Sequence, residues 1–124
     1  MAPRTSSRSV SLVGKTVQLA TQKLGKRAGK TCGDFIRTFY ANVPPADIAS
    51  SSAEELFGTS ASFWDFAQKR RPGEPLIRVF NPREDAHGWN SPHTVIEVVT
   101  DDMPFLVDSL TAELNYQGLI VHLV

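Results

Sequence analysis

The stretch with the most evident chemistry in this 124-residue sequence is Thr100-Asp101-Asp102-Met103-Pro104-Phe105. An apolar run from His93 to Val99 leads into it and a helical pattern leaves it, so a strand hands over to a helix N-terminus at this point. Such a junction presents unpaired backbone N–H groups and the positive end of the helix dipole, which suit a carboxylate. Asp101 and Asp102 oppose an anion and suit an ammonium group instead. A ligand carrying both charges, such as an amino acid, would use the whole turn. Asp101, Asp102, Met103 and Phe105 are therefore the candidate effector-binding residues. The plainer alternative is that both aspartates cap the helix that follows.

The remaining chemistry-bearing residues do not combine into a site. Cys32 is the single cysteine, with no surrounding pattern of a nucleophile, and reads as a structural thiol. His87, His93 and His122 are spread over a loop and two strands, without metal-ligand spacing. Gly14-Lys15-Thr16 resembles the end of a phosphate-binding loop, but Ser9 stands where its first glycine would fall and no strand precedes it. No Gly-x-Gly-x-x-Gly follows a strand. No catalytic, cofactor-binding or metal-ligating residue is assigned.

The zero net charge hides an asymmetry. Arg4, Arg8, Lys15, Lys23, Lys26, Arg27 and Lys30 lie in residues 1–30 without one acid, while all 13 Asp and Glu fall in residues 31–124. This pattern is that of a basic leader ahead of a domain. Residues 1–14, rich in Ser and Arg, are expected to be a disordered extension that runs into a helix carrying Val17, Ala20, Leu24 and Ala28. The leader has no secretory apolar core, and with no aromatic residue it is a poor nucleic-acid binder. No apolar run reaches the length of about 20 residues that a membrane-spanning helix needs.

Residues 15–73 read as a helical segment. Phe35 with Phe39 and Ile36 with Tyr40 share a helical face over 34–41, with Asp34 as N-cap, and Val43-Pro44-Pro45 ends it. Ser52 with Glu55 forms a capping box for a helix reaching Arg71, where Lys69-Arg70-Arg71 suits the last turn. Residues 74–124 change to an α/β pattern. Leu76–Phe80 and His93–Val99 read as strands of an antiparallel hairpin with a long connection. Met103, Leu106, Val107, Leu110 and Leu114 mark an amphipathic helix with Pro104 in its first turn and Gly118 as its left-handed end. Leu119–Val124 reads as a third strand, closing a βαβ unit over 94–124. An apolar strand as the last residues of a finished protein is a pairing hazard, so a fragment of a longer polypeptide is expected.

Phe39-Tyr40-Ala41-Asn42-Val43-Pro44-Pro45-Ala46-Asp47, Arg71-Pro72-Gly73-Glu74-Pro75, Arg78-Val79-Phe80-Asn81-Pro82, His87-Gly88-Trp89 and Ser91-Pro92-His93-Thr94-Val95 resemble the N-terminal region of the large NAD-specific glutamate dehydrogenases of bacteria. Thr100 to Ser109 and Gly118 to Val124 extend the resemblance, which covers residues 35–124. It implies an α+β fold: helices, then a β-hairpin and an incomplete ferredoxin-like (ACT-like) βαβ unit truncated at its C-terminus. Asp102, Pro104, Leu106 and Gly118 match the ACT pattern, while Phe105 stands where that pattern has glycine and leaves less room for a ligand to approach the backbone. The resemblance implies a regulatory, non-catalytic part of a cytoplasmic enzyme that converts L-glutamate and NAD to 2-oxoglutarate, ammonia and NADH. NAD would bind elsewhere in that parent and not in this segment. The implied partners are the remainder of the same polypeptide, further copies in a homo-oligomer and an amino-acid effector, with neither membrane nor nucleic acid. The competing reading is a stand-alone interaction module whose basic N-terminal tail binds an acidic partner or nucleic acid.

Overall fold

The computed structural model describes residues 4–122, with side chains from Ser7 onward. Helices α1 (Arg4–Leu24), α2 (Lys26–Tyr40), α3 (Pro45–Ala49) and α4 (Ala53–Ala67) come first. Strand β1 (Leu76–Phe80), a short helix α5 (Glu84–His87), strand β2 (Val95–Val99) and helix α6 (Leu106–Tyr116) follow. The fold is α+β, mostly helical, with one two-stranded antiparallel sheet.

α1 corrects the expectation of a disordered extension over residues 1–14, since it runs unbroken from Arg4. Its order comes from one face of small and apolar residues, Ser9, Leu12, Thr16 and Ala20, all buried at three- and four-residue steps. The Thr16 hydroxyl is satisfied within the helix, donating to the Leu12 carbonyl at 2.7 Å. Arg8, which the interaction-module reading places in a free tail, donates instead to the Ala49 carbonyl at 2.9 Å. Propensity for disorder was outweighed by a face the rest of the bundle can bury.

One residue, Gly25, joins α1 to α2. Its φ of 85° lies where side chains are disfavoured. α2 then packs along α1 through glycines four apart: a Cβ on Gly29 would lie 2.5 Å from the Thr21 Cα, and one on Gly33 would lie 2.9 Å from a Val17 methyl. Asp34 is consequently mid-helix and exposed, rather than the N-cap. Ile36 and Tyr40 point into the core with Cys32, Leu12, Ala20, Ile48, Ala53 and Leu56. The Leu56 carbonyl accepts from both the Tyr40 hydroxyl at 2.6 Å and the Ser60 hydroxyl at 2.7 Å. Phe35, Phe39, Phe63 and Trp64 form the adjoining aromatic cluster, with ring centroids 4.9 Å apart for Phe35 and Trp64.

Ser52 caps α4 as expected, accepting from the Glu55 backbone N–H at 3.1 Å. α4 stops at Ala67, so Lys69-Arg70-Arg71 lies beyond the last helical turn. β1 and β2 pair in register with Arg78 opposite Glu97 and Val79 opposite Ile96. The outward face of the hairpin carries exposed Ile77 and Val79, and the other face carries the Arg78–Glu97 pair toward α4. The connection docks on α4 because Gly58 has no side chain: a Cβ there would lie 2.8 Å from both the Gly88 carbonyl oxygen and the Trp89 Cβ.

The C-terminal part departs most from the sequence expectation. α6 begins at Leu106, after Pro104, and none of its residues is buried. Residues 119–122 form no strand, because among the described residues no edge pairs with them, and Leu123 and Val124 lie outside the described residues. Gly118 does take the left-handed conformation, with φ 80°.

Candidate effector-binding turn

The turn between β2 and α6 is held from one side by the end of α4. Arg70 donates through Nη2 to the Asp101 carboxylate at 2.5 Å and through Nε to the Glu74 carbonyl at 3.1 Å. The guanidinium side chain is mostly covered, whereas the Asp101 side chain is largely exposed. Arg70 is thus the cation that the sequence assigned to the α4 dipole, placed at the turn because the helix stops three residues before it.

Neither aspartate caps α6. The N-cap is Phe105, in the left-handed region at φ 60° and ψ 20°, with no side-chain cap bond. Left-handed backbone at a bulky residue carries strain. Its carbonyl accepts the first helical bond from Ser109 N–H at 2.8 Å. The N–H groups of the first turn are therefore not taken by a side-chain cap. Asp102, Met103 and Phe105 are exposed around that end. The structure thus joins Asp101 to Arg70, while Asp102, Met103 and Phe105 stand exposed along the turn that leads to the uncapped end of α6. Such a set can neutralise and orient a zwitterion, and it contains no nucleophile paired with a base.

The second charged cluster lies behind the hairpin. Arg78 donates to Glu97 through Nε at 2.7 Å and also through Nη2, and it reaches the Ser62 hydroxyl at 3.2 Å. Its guanidinium sits 4.6 Å from the Phe66 ring centroid and 4.2 Å from that of Phe80. Burial pushes the Glu97 carboxyl above the usual carboxylate range, and the Arg78 hydrogen bond and charge pull it partly back. The sequence does carry a signal for this pair. Arg78 and Glu97 are the lone charged residues in otherwise apolar strands, and each sits at the middle position.

None of the other sequence candidates joins this turn, although the structure brings His93 and His122 together. Cys32 is buried, and burial pushes its thiol up. His87 Nδ1 accepts from the Arg83 backbone N–H at 3.0 Å, while the His93 and His122 rings stack 4.4 Å apart. Among the described residues no group of three or more His, Cys, Asp and Glu could hold a metal, and no helix is long and apolar enough to cross a membrane. Two open cavities lie elsewhere. One, of about 510 Å³, separates α1 from the start of α4, and one of about 880 Å³ lies between α4 and the hairpin connection.

Comparison with known proteins adds three findings. Residues 35–124 match the family described as glutamate dehydrogenase, ACT1 domain. The chain is 43% identical over 102 residues to the NAD-specific glutamate dehydrogenase of Halomonas elongata and 35% identical over 101 residues to that of Pseudomonas aeruginosa. Each match covers 82% of this chain and 6% of the relative, so the chain spans a small part of the length of these proteins. A match over 82% of the chain is longer than 35–124, so the similarity begins upstream of Phe35 and reaches α1. No solved structure matches.

Proposed function

Because the chain belongs to the glutamate dehydrogenase ACT1 domain family, we propose that it is an N-terminal regulatory, non-catalytic part of an NAD-dependent glutamate dehydrogenase. The observation that carries this reading is the family match over residues 35–124, together with relatives that are themselves NAD-specific glutamate dehydrogenases. The parent would be cytoplasmic and homo-oligomeric, and the rest of the same polypeptide would be this region's first partner. Oxidation of L-glutamate by NAD to 2-oxoglutarate, ammonia and NADH would occur there, with the cofactor bound outside this segment. Residues 74–124 would be the first part of an ACT-like domain.

In this reading the β2–α6 turn is the sensor. The ammonium group of an amino acid would sit against Asp101 and Asp102, and its carboxylate would face Arg70 and the free N–H groups of α6. Met103 and Phe105 would shield the ligand from water. An effector bound here would act on the distant active site through a coupling free energy, which for such systems is typically about 1–3 kcal/mol.

The test is calorimetric titration of the full-length dehydrogenase with L-amino acids. Asp102→Ala is expected to weaken binding about tenfold or more, corresponding to about 1.4 kcal/mol, and Arg70→Gln should weaken it likewise. Binding that both substitutions leave unchanged would remove the turn from the proposal. Absence of any dehydrogenase activity in the parent polypeptide would remove the wider reading.

A further inference from the structure

We propose that the cavity between α4 and the hairpin connection binds a small monocarboxylate, at a site separate from the β2–α6 turn. Its volume of about 880 Å³ falls within the roughly 300–1,000 Å³ of small-molecule sites. Every residue that lines it lies between Lys23 and Asn90, so no wall depends on α6. The connection rests directly against α4 at Gly58, which fixes the two walls relative to each other. Trp89 lines this cavity and is 9% exposed. Its Nε1 is the one covered side-chain polar atom among the described residues that has no hydrogen-bond partner. An indole N–H can only donate, and a covered donor left unpaired is costly.

The neighbours of Trp89 in that wall are donors as well. His87 Nδ1 already accepts from the Arg83 backbone N–H at 3.0 Å, so the ring proton is on Nε2. Asn90 Oδ1 accepts from the Glu84 N–H at 2.8 Å, which leaves the Asn90 amide nitrogen to donate. Both side chains line the cavity. Neutral donors at 87, 89 and 90 call for an acceptor, and a carboxylate makes the strongest such bonds. Lys23, seated over the Phe57 ring at 5.3 Å, supplies the uncommitted cation of the lining, since Lys69 pairs with Asp65 and Arg78 with Glu97. Glu54, Glu55 and Glu84 line the cavity too and form no ion pair among the described residues. They repel a second negative charge, which selects against phosphate esters and dicarboxylates. Phe57 and Ala61 of α4 offer apolar contact for the organic part of the ligand. The indole N–H is covered in the free chain, so the carboxylate reaches it by a local shift of the connection, whose Glu84, Asp85, Ala86, Gly88 and Asn90 are exposed.

Saturation-transfer NMR on the full-length dehydrogenase, which reads the ligand's own signals, tests this with phenylacetate as the probe. Phenylacetate is expected to bind saturably, and phenylacetamide, which lacks the charge, about tenfold or more weakly. Inorganic phosphate should not displace it. Asn90→Asp keeps the oxygen that accepts from Glu84 but turns the donor into an acceptor, and should weaken binding about tenfold or more. Trp89→Phe keeps a ring and removes the N–H, and should weaken binding about fivefold. If that variant is recovered unfolded, Asn90→Asp alone decides. Asp102→Ala should leave phenylacetate binding unchanged, so failure of this site and failure of the turn are read apart. The proposal is overturned by absence of saturable binding, by equal binding of phenylacetamide, or by displacement with phosphate. A folded Asn90 or Trp89 variant that binds like the wild type overturns it too, as does loss of binding in Asp102→Ala.

Discussion

Glu97 is the residue at which burial and charge compete most directly. Its carboxyl is almost entirely covered and is paired to an arginine that still reaches solvent at its edge. With burial the larger influence, its folded-state pKa lies above the unfolded value of 4.5. The native state then holds a proton that the unfolded chain has released, so this group's stabilising contribution is full below pH 4.5 and declines as pH rises through the folded value. Glu97→Gln removes that decline, so urea titrations at pH 4 and pH 7 should show the variant gaining on the wild type as pH rises. The opposite trend would mean that the Arg78 pair outweighs burial. Glu97→Ala leaves Arg78 between two phenyl rings without its counter-ion and should cost about 2–3 kcal/mol, below the full value for a buried pair because Arg78 is a quarter exposed.

Among the elements, α1 and α2 show how one residue type serves opposite purposes. Gly14 lies in α1 with nothing near its missing side chain, whereas Gly29 lies against the α1 backbone. Gly14→Ala is expected to stabilise the chain by about 0.5–1 kcal/mol through helix propensity. Gly29→Ala must push the two helices apart and should destabilise by about 1–3 kcal/mol despite the same propensity gain. Thermal denaturation of the two variants measures both signs. The α1–α2 packing was hard to read from the sequence because its face is built of Ser9, Thr16, Ala20 and glycines, which carry little apolar periodicity. By contrast, the Ser52 cap, the Pro44 break and the hairpin strands were legible, since each depends on local chemistry. The α6 periodicity was legible too, but periodicity reports which face is apolar and not whether another element covers it. Leu110→Ala would cost about 2–5 kcal/mol in a buried face; at 38% exposure about 1 kcal/mol or less is expected.

For the molecule as a whole, the helical part and the hairpin meet at few points, and Gly58 is one of them. Any side chain there displaces the Gly88–Trp89 backbone, so Gly58→Ala should release the hairpin connection while α1–α4 stay packed. Trp89, buried against the edge of Phe80 at 6.2 Å between centroids, reports this directly. In a Trp64→Phe background its fluorescence should shift to longer wavelength in the Gly58 variant while helical circular dichroism is kept. An unshifted spectrum would mean that the connection holds without this contact. The candidate turn depends on the same separation of parts. Its aspartates were evident in the sequence, but Arg70 lies 31 positions away and reaches Asp101 only because α4 ends at Ala67 and the hairpin returns beside it. Sequence patterns speak within an element, and this pairing spans three.

The one-residue link at Gly25 also sets an order of events. Two helices joined by a single residue lose almost no chain entropy on meeting, since loop closure is least costly when the loop is short. The β1–β2 ladder must instead close a connection running from Asn81 to Thr94 before its first pair forms. Contacts of low sequence separation form early in folding, and distant pairings late. Stopped-flow measurements should therefore show Gly29→Ala slowing folding, and Glu97→Ala chiefly speeding unfolding, so that the helical hairpin acts as the nucleus and the strands as the clasp fastened after it.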